Sequence, residues 1–237
     1  MKTFEEKNRW YWDERSEGYG KLRQKELSGP DRKAWSDFLL SRIPKKSGKV
    51  LDAGCGPAFL SILMAKAGWD VTAVDFSPAM LKVAAENGAR EGVSIHFMEG
   101  DVMNLPFENE FDVILSRNVT WNLPDVPKAY ESWYRALAPG GVLLNMDTDY
   151  GLMDFRETSK IAKNAHQGVK DSLIEICEEL KEEVRISTHR RPMWDLERLK
   201  IAGFKNLRGE EDIRSFVHVS DEWDYDPAPL FCLRGEK

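Results

Sequence analysis

The residues best suited to hold a ligand stand at the ends of four short apolar runs. The first run closes on "VLDAGCGPAF", residues 50–59, which places Asp52, Ala53, Gly54, Cys55 and Gly56 in one turn. Glycine lets the backbone adopt positive φ and lets a ligand come close. The helix expected to open at about Pro57 would turn its free N–H groups toward that ligand. The second run, "DVTAVD", ends on Asp75, with Phe76 and Met80 just beyond it. A carboxylate there is acceptor-only and can take both hydroxyls of a ribose. The third run leads to Asp101 and Val102 in "GDVMNLPF", and the fourth ends on Arg117 and Asn118 in "FDVILSRN". A glycine turn with an acid about 20 residues further on is the arrangement of a nucleotide-like cofactor site.

Three readings of the turn compete. A phosphate loop of the GxxxxGK[ST] kind is absent. A dinucleotide turn needs a small third residue for close helix packing, and Phe59 occupies that place. The third reading rests on likeness. "VLDAGCGPAFLS" resembles motif I of the class I S-adenosylmethionine (SAM)-dependent methyltransferases, with Asp52, Gly54 and Gly56 in place and Ala58 where many members carry a third glycine. "RALAPGG" resembles that family's turn before its fifth strand, and the likeness spans about residues 45–147. It is nearest the small-molecule branch that includes quinone-biosynthesis methyltransferases. It implies SAM as cofactor, S-adenosylhomocysteine (SAH) as product, and no metal. By the same resemblance Asp75 takes the ribose hydroxyls, Asp101 approaches the adenine amino group, and Arg117 and Asn118 line the methionine part. "YWDERSEGYG" is similar to the family's N-terminal helix that folds over the cofactor; Tyr11 or, preferably, Tyr19 then meets the methionyl carboxylate.

Further candidates surround this set. Trp121, with Asn118, is placed at the border of the transferring methyl, where an aromatic face suits a sulfonium cation; a packed loop tryptophan is the plain alternative. Asp149, with Asp147 beside it, follows the fifth run and could accept a proton from the acceptor, although strand-end acids are usually solvated. "THRRPMW" offers His189, Arg190, Arg191 and Trp194 as an anion-binding substrate element, or else as a solvated charged segment. His96 lies in an apolar strand pattern and reads as a core histidine. No [DN]PP[YF] run follows the fourth strand, which argues against an exocyclic-amine methyltransferase acting on DNA.

These residues need a frame that brings strand ends together. The 237-residue chain alternates β-like and helical segments from about residue 48 to 147, which implies a parallel sheet covered on both faces. "FKNLRGEEDIRSFVHV" and "PLFCLRGEK" add two strands. The expected fold is α/β: a Rossmann-like, doubly wound, mostly parallel seven-stranded sheet. Residues 1–46 form an N-terminal helical flap, 47–149 the SAM-binding core, 150–191 an inserted helical lid, and 192–237 the completion of the sheet. The insertion of about forty residues exceeds what a connection needs. It leaves the sheet on the same edge as Gly54, carrying His166, His189, Arg190 and Arg191, so it is expected to set the acceptor.

The net charge of −6 disfavours a duplex nucleic-acid face. Cys55, Cys177 and Cys232 form no CxxC or zinc spacing, which fits reduced thiols in a cytoplasm. There is no apolar signal core and no run near the roughly 20 apolar residues of a membrane span. The expected activity is SAM-dependent methyl transfer to a small-molecule acceptor by in-line displacement, achieved by positioning and exclusion of water. The alternatives are a SAM- or SAH-binding module without turnover, and a methyltransferase acting on a protein. The sequence leaves the acceptor and the oligomeric state open.

Overall fold

Val- and Leu-rich runs that alternate with amphipathic segments become strands and covering helices in the computed structural model, which describes residues 3–161, 168–221 and 226–237. Two helices come first, α1 (Phe4–Ser28) and α2 (Asp31–Arg42). The alternation then runs β1 (Lys49–Ala53), α3 (Phe59–Lys66), β2 (Asp70–Asp75), α4 (Pro78–Glu91), β3 (His96–Glu99), β4 (Phe111–Arg117), α5 (Val126–Ala136) and β5 (Leu137–Thr148). After it come α6 (Phe155–Thr158), α7 (Asp171–Glu183), α8 (Met193–Ala202), β6 (Lys205–Glu210), α9 (Arg214–Val217) and β7 (Leu230–Glu236).

The seven strands form one sheet in the order β3-β2-β1-β4-β5-β7-β6. The first five are parallel, and β7 runs antiparallel to both β5 and β6. Strand order reverses between β1 and β4, so the crevice beyond their carboxyl ends is the place where such a sheet binds ligands. Side chains alternate between faces. Val50, Val113 and Val142 pack with Trp35, Leu39 and Ile62 on one side. Leu51, Ile114 and Leu143 pack with Tyr130, Trp133 and Leu199 on the other. Each such fully buried aliphatic contributes about 1.5–3 kcal/mol. Burial on both faces explains why these strands read as near-continuous apolar runs.

Local signals place the helix ends. Ser77 caps α4, its hydroxyl accepting from the Met80 N–H at 3.0 Å with Pro78 in the first turn. Gly203 ends α8 in the left-handed region, φ 108°. Three expectations shift. α3 begins at Phe59 and not at Pro57, because Pro57 and Ala58 belong to the turn. The segment "DIRSFVHV" does not extend β6 but folds into α9, where the Asp212 carboxylate accepts from the Arg214 N–H at 3.1 Å. His96 is exposed and not a core residue, because β3 is the edge strand. Between β5 and α8, helix α7 packs against α1, and Glu178 holds Lys181 and the Phe155 N–H. His166 lies outside the described residues.

Candidate active site

The turn after β1 is built from left-handed backbone. Gly54, Gly56 and Ala58 have φ of 77°, 50° and 67°. A Cβ on Gly54 would stand 2.4 Å from Val119 Cγ2, so only glycine fits there. Ala58 adopts the conformation that costs an L-residue about 1–2 kcal/mol, which is the physical sense of a third glycine at that place. Asp52 stabilises this geometry from below: one of its oxygens accepts from the Ser61 N–H at 3.0 Å and from the Ser61 hydroxyl at 2.5 Å. Asp75 stabilises it from the side, accepting from the Gly56 N–H at 2.8 Å and the Ser77 N–H at 2.9 Å. Each Asp75 oxygen carries one of these bonds, so lone-pair capacity remains for a ligand. Burial pushes both carboxyls up, Asp52 to about 6 and Asp75 to about 6.

Helix α1 closes the other side. A capping box between Thr3 and Glu6 starts it, and Ser77 ties it to the α4 cap through a 2.6 Å bond to Asp13. Its buried face is largely polar: Asn8, Tyr11, Arg15, Ser16, Arg23 and Glu26 recur at helical spacing. A helix that buries such a stripe is facing a site more than a core. Glu26 receives both Arg117 terminal nitrogens, at 3.1 and 2.9 Å, and also pairs with Arg23. Burial opposes its ionisation, but the Arg117 and Arg23 guanidiniums prevail and hold it down to about 2. Arg23 also donates to the Tyr19 hydroxyl at 2.7 Å.

Between α1 and the carboxyl ends of β1 to β4 lies a cavity of about 570 Å³. Asp52, Gly54, Cys55, Gly56 and Asp75 line one side, Phe76, Met80, Asp101 and Val102 another, and Tyr19, Arg23, Arg117 and Asn118 the far end. Asn118 Oδ1 and both side-chain amide atoms of Asn122 are buried at this wall without a hydrogen-bond partner among the described residues. Buried polar atoms of this kind are normally satisfied. The volume, the acceptor capacity of Asp75 and these amides together fit a ligand the size and chemistry of SAM. Ala53 is fully buried behind the turn.

A second, smaller chamber of about 40 Å³ adjoins the first, and Trp12, Tyr19, Arg23 and Asn118 line both. Its walls are aromatic: Trp121 lies 4.9 Å from Tyr150 and 5.6 Å from Phe155, ring centre to ring centre. Tyr11, Arg15 and Asp226 complete it, and the Tyr150 hydroxyl donates to Asp226 at 3.2 Å. Trp121 lines this chamber, its indole N–H donating to the Asn118 carbonyl at 3.0 Å.

Other expected residues are not brought to either cavity. Asp149 accepts from the Arg191 N–H at 3.1 Å and lines neither. Arg191 is buried in an ion cluster: its guanidinium meets Asp195 at 2.9 and 2.8 Å, Thr120 at 2.6 Å and Asp147 at 3.4 Å. That cluster ties α8 to the end of β5 and to the loop after β4. Arg190 is exposed, and Trp194 stacks on His189 at 4.6 Å. Among the described residues of the insertion, Tyr150 and Phe155 line one of these two cavities. Tyr150 was named from the sequence beside Asp149; Phe155, Arg15, Arg23 and Asp226 were not singled out. The polar stripe of α1 was the available signal.

Comparison with known proteins agrees with this geometry. A family model described as a methyltransferase domain matches residues 51–145. The demethylmenaquinone methyltransferase of Staphylococcus haemolyticus is 33% identical over 201 residues, covering 81% of this chain and 81% of that protein. The ubiquinone biosynthesis O-methyltransferase of Xylella fastidiosa is 32% identical over 109 residues, 45% of this chain and 44% of its own. In fold, the chain resembles Haemonchus contortus phosphoethanolamine N-methyltransferase 2 bound to phosphomonomethylethanolamine and SAH, with a TM-score of 0.67 and 19% identity over 100% of this chain and 60% of that one.

Proposed function

We propose a methyl acceptor for a chain that belongs to the class I SAM-dependent methyltransferase family: a small planar molecule bearing an oxygen substituent, whose oxygen end enters the aromatic chamber. The observation that carries this reading is the position of that chamber, which shares Trp12, Tyr19, Arg23 and Asn118 with the cofactor-sized cavity. The two relatives named above, whose names place them in quinone biosynthesis, support an acceptor of this class.

SAM supplies, when bound, an electrophilic methyl on a sulfonium whose departure as a neutral thioether needs no general acid. The chain's own residues do the rest. Asp75 takes ribose hydroxyls, Phe76, Met80 and Val102 flank the base, and Asp101 meets its amino group. Tyr19, Arg23, Arg117 and Asn118 hold the amino-acid end. Trp121 and Tyr150 orient the acceptor ring, and helix α1 keeps water from the reacting pair. Asp226, the carboxylate on the chamber wall, takes the proton-accepting role that the sequence assigned to Asp149. We also place the enzyme in the cytoplasm, on the strength of its three free thiols.

Calorimetric titration with SAM, SAH and NAD tests the cofactor site. SAM and SAH bind and NAD does not; Asp75→Ala weakens SAH binding by about 1.5–3 kcal/mol for each charge-assisted bond lost, with the circular dichroism spectrum unchanged. Turnover of methyl-labelled SAM against a panel of phenols and quinols then tests the acceptor class. Tight NAD binding, or label appearing only in protein, would refute the reading.

A further inference from the structure

We infer that Arg15 is the acceptor-anchoring residue of this enzyme, and that it selects molecules bearing a planar oxyanion, a carboxylate or a phenolate. The inference deepens the reading above and rests on it in taking the aromatic chamber as the acceptor's place.

Arg15 sits on α1 one turn from Tyr11 and one turn from Tyr19, so helical spacing brings all three to the same face. Its side chain is 7% exposed and lines the chamber. Its Nε has no acceptor, and its guanidinium makes no hydrogen bond or ion pair among the described residues. The other buried arginines near the site differ: Arg23 and Arg117 share Glu26, and Arg191 has Asp195, Asp147 and Thr120. A buried guanidinium with no partner among the described residues is costly to keep. It is accounted for when a ligand brings the counter-charge.

The surroundings define that ligand. Five N–H donors in a planar fork match a planar oxyanion with two lone-pair directions. The chamber holds about 40 Å³, room for roughly three water-sized atoms. That suits a carboxylate or a ring oxygen and is too small for a phosphate. Asp226 stands on the same wall, so the local charge favours one negative charge over two. Its carboxylate already accepts from the Tyr150 hydroxyl, whereas the guanidinium donates to none of the described residues, so an anion is preferred over the cation that an aromatic cage alone would suit. Tyr11 and Cys177 also face this charge, and burial holds both in their neutral forms. Trp121, Tyr150 and Phe155 then flank the oxyanion end of the acid, and its body extends past Trp12 and Asn118, which line both cavities, toward the larger one.

The test titrates the full-length protein, both free of cofactor and loaded with SAH, with benzoate as carboxylate probe, 4-nitrophenolate as phenolate probe and tetramethylammonium as cation probe. At least one anion binds saturably and tetramethylammonium does not. Which anion binds distinguishes the two sources of the oxyanion. Arg15→Met weakens the bound anion at least roughly tenfold, the loss of one charge-assisted contact, and Arg15→Lys restores part of it. SAH affinity is equal in all three proteins. Because Arg15→Met removes a buried charge that has no partner among the described residues, it melts at or above the parental temperature. The inference is overturned if neither anion binds, if tetramethylammonium binds instead, if Arg15→Met binds the anion as the parent does, or if it melts several degrees lower. A parent that binds an anion through Arg15 but fails to bind SAH overturns the reading of the large cavity and leaves this assignment standing.

Discussion

Two buried arginine sites, on either side of Trp121, are opposites. Around Arg191 two carboxylates and a threonine hydroxyl converge on one guanidinium. Around Arg15, and along the neighbouring cofactor cavity, charges and amides outnumber their partners: the Arg15 guanidinium, Asn118 Oδ1 and the Asn122 amide have none among the described residues. The first site is saturated by the chain and therefore serves architecture. The second is incomplete without a ligand and therefore serves binding. Residue type does not separate them, since both are arginines in aromatic company; the difference lies in how many partners folding supplies.

The largest expected effect breaks the saturated side. Arg191→Met leaves Asp147 and Asp195 buried without their cation and lowers stability by about 3–5 kcal/mol, read as a shift in the urea unfolding midpoint. A variant as stable as the parent that has lost methyl transfer would move Arg191 to the acceptor site and erase the contrast.

An intermediate effect sharpens the unsaturated side through pH. Burial raises Asp75 to about 6, so the folded, ligand-free protein holds that proton where the unfolded chain has released it. Its contribution to stability is therefore full below the ordinary carboxylate range and is lost as pH rises through about 6. In the proposed site SAH favours the ionised form, which offers acceptors on both oxygens, whereas protonation turns one of them into a donor. SAH affinity is thus flat above about pH 7 and falls as pH drops through about 6, approaching tenfold per unit. Melting curves with and without SAH check both signs. An SAH affinity that stays constant down to about pH 5 would show that Asp75 serves the turn alone.

The smallest effect concerns the exposed neighbour. Arg190→Ala changes stability by no more than about 0.5 kcal/mol and leaves turnover of the identified acceptor at the parental rate. A clear loss of turnover would return the end of the insertion to the acceptor site.

Much of the cofactor side was legible because its signals are local. Gly54 and Gly56 mark positive φ, Asp75 closes a strand, and Ser77–Pro78 opens a helix; each follows from a few adjacent residues. Tyr19 was legible for a similar reason, since the N-terminal helix carries its own resemblance. The surroundings of the residues expected on the acceptor side were not legible, because their partners are not local. Arg190, Arg191 and Trp194 have the composition of an anion site, yet Asp195, four residues beyond Arg191 in the first turn of α8, captures that arginine. Asp149 looked like a free strand-end acid, yet the Arg191 N–H, 42 residues away, takes it. Arg15 was not singled out, because no local pattern sets it apart from the other charges of α1.

By itself the sequence determined the parallel sheet, the glycine turn and the acid at the end of each of the next two β-like runs, because backbone conformation and strand periodicity are set by neighbouring residues. Only the tertiary structure decided which arginine is anchored and which is waiting. Whether a buried charge is satisfied depends on residues far apart in the chain: Asp147 and Asp195 close on Arg191, while Tyr150, Phe155 and Asp226 surround Arg15 with walls and leave its guanidinium without a partner among the described residues.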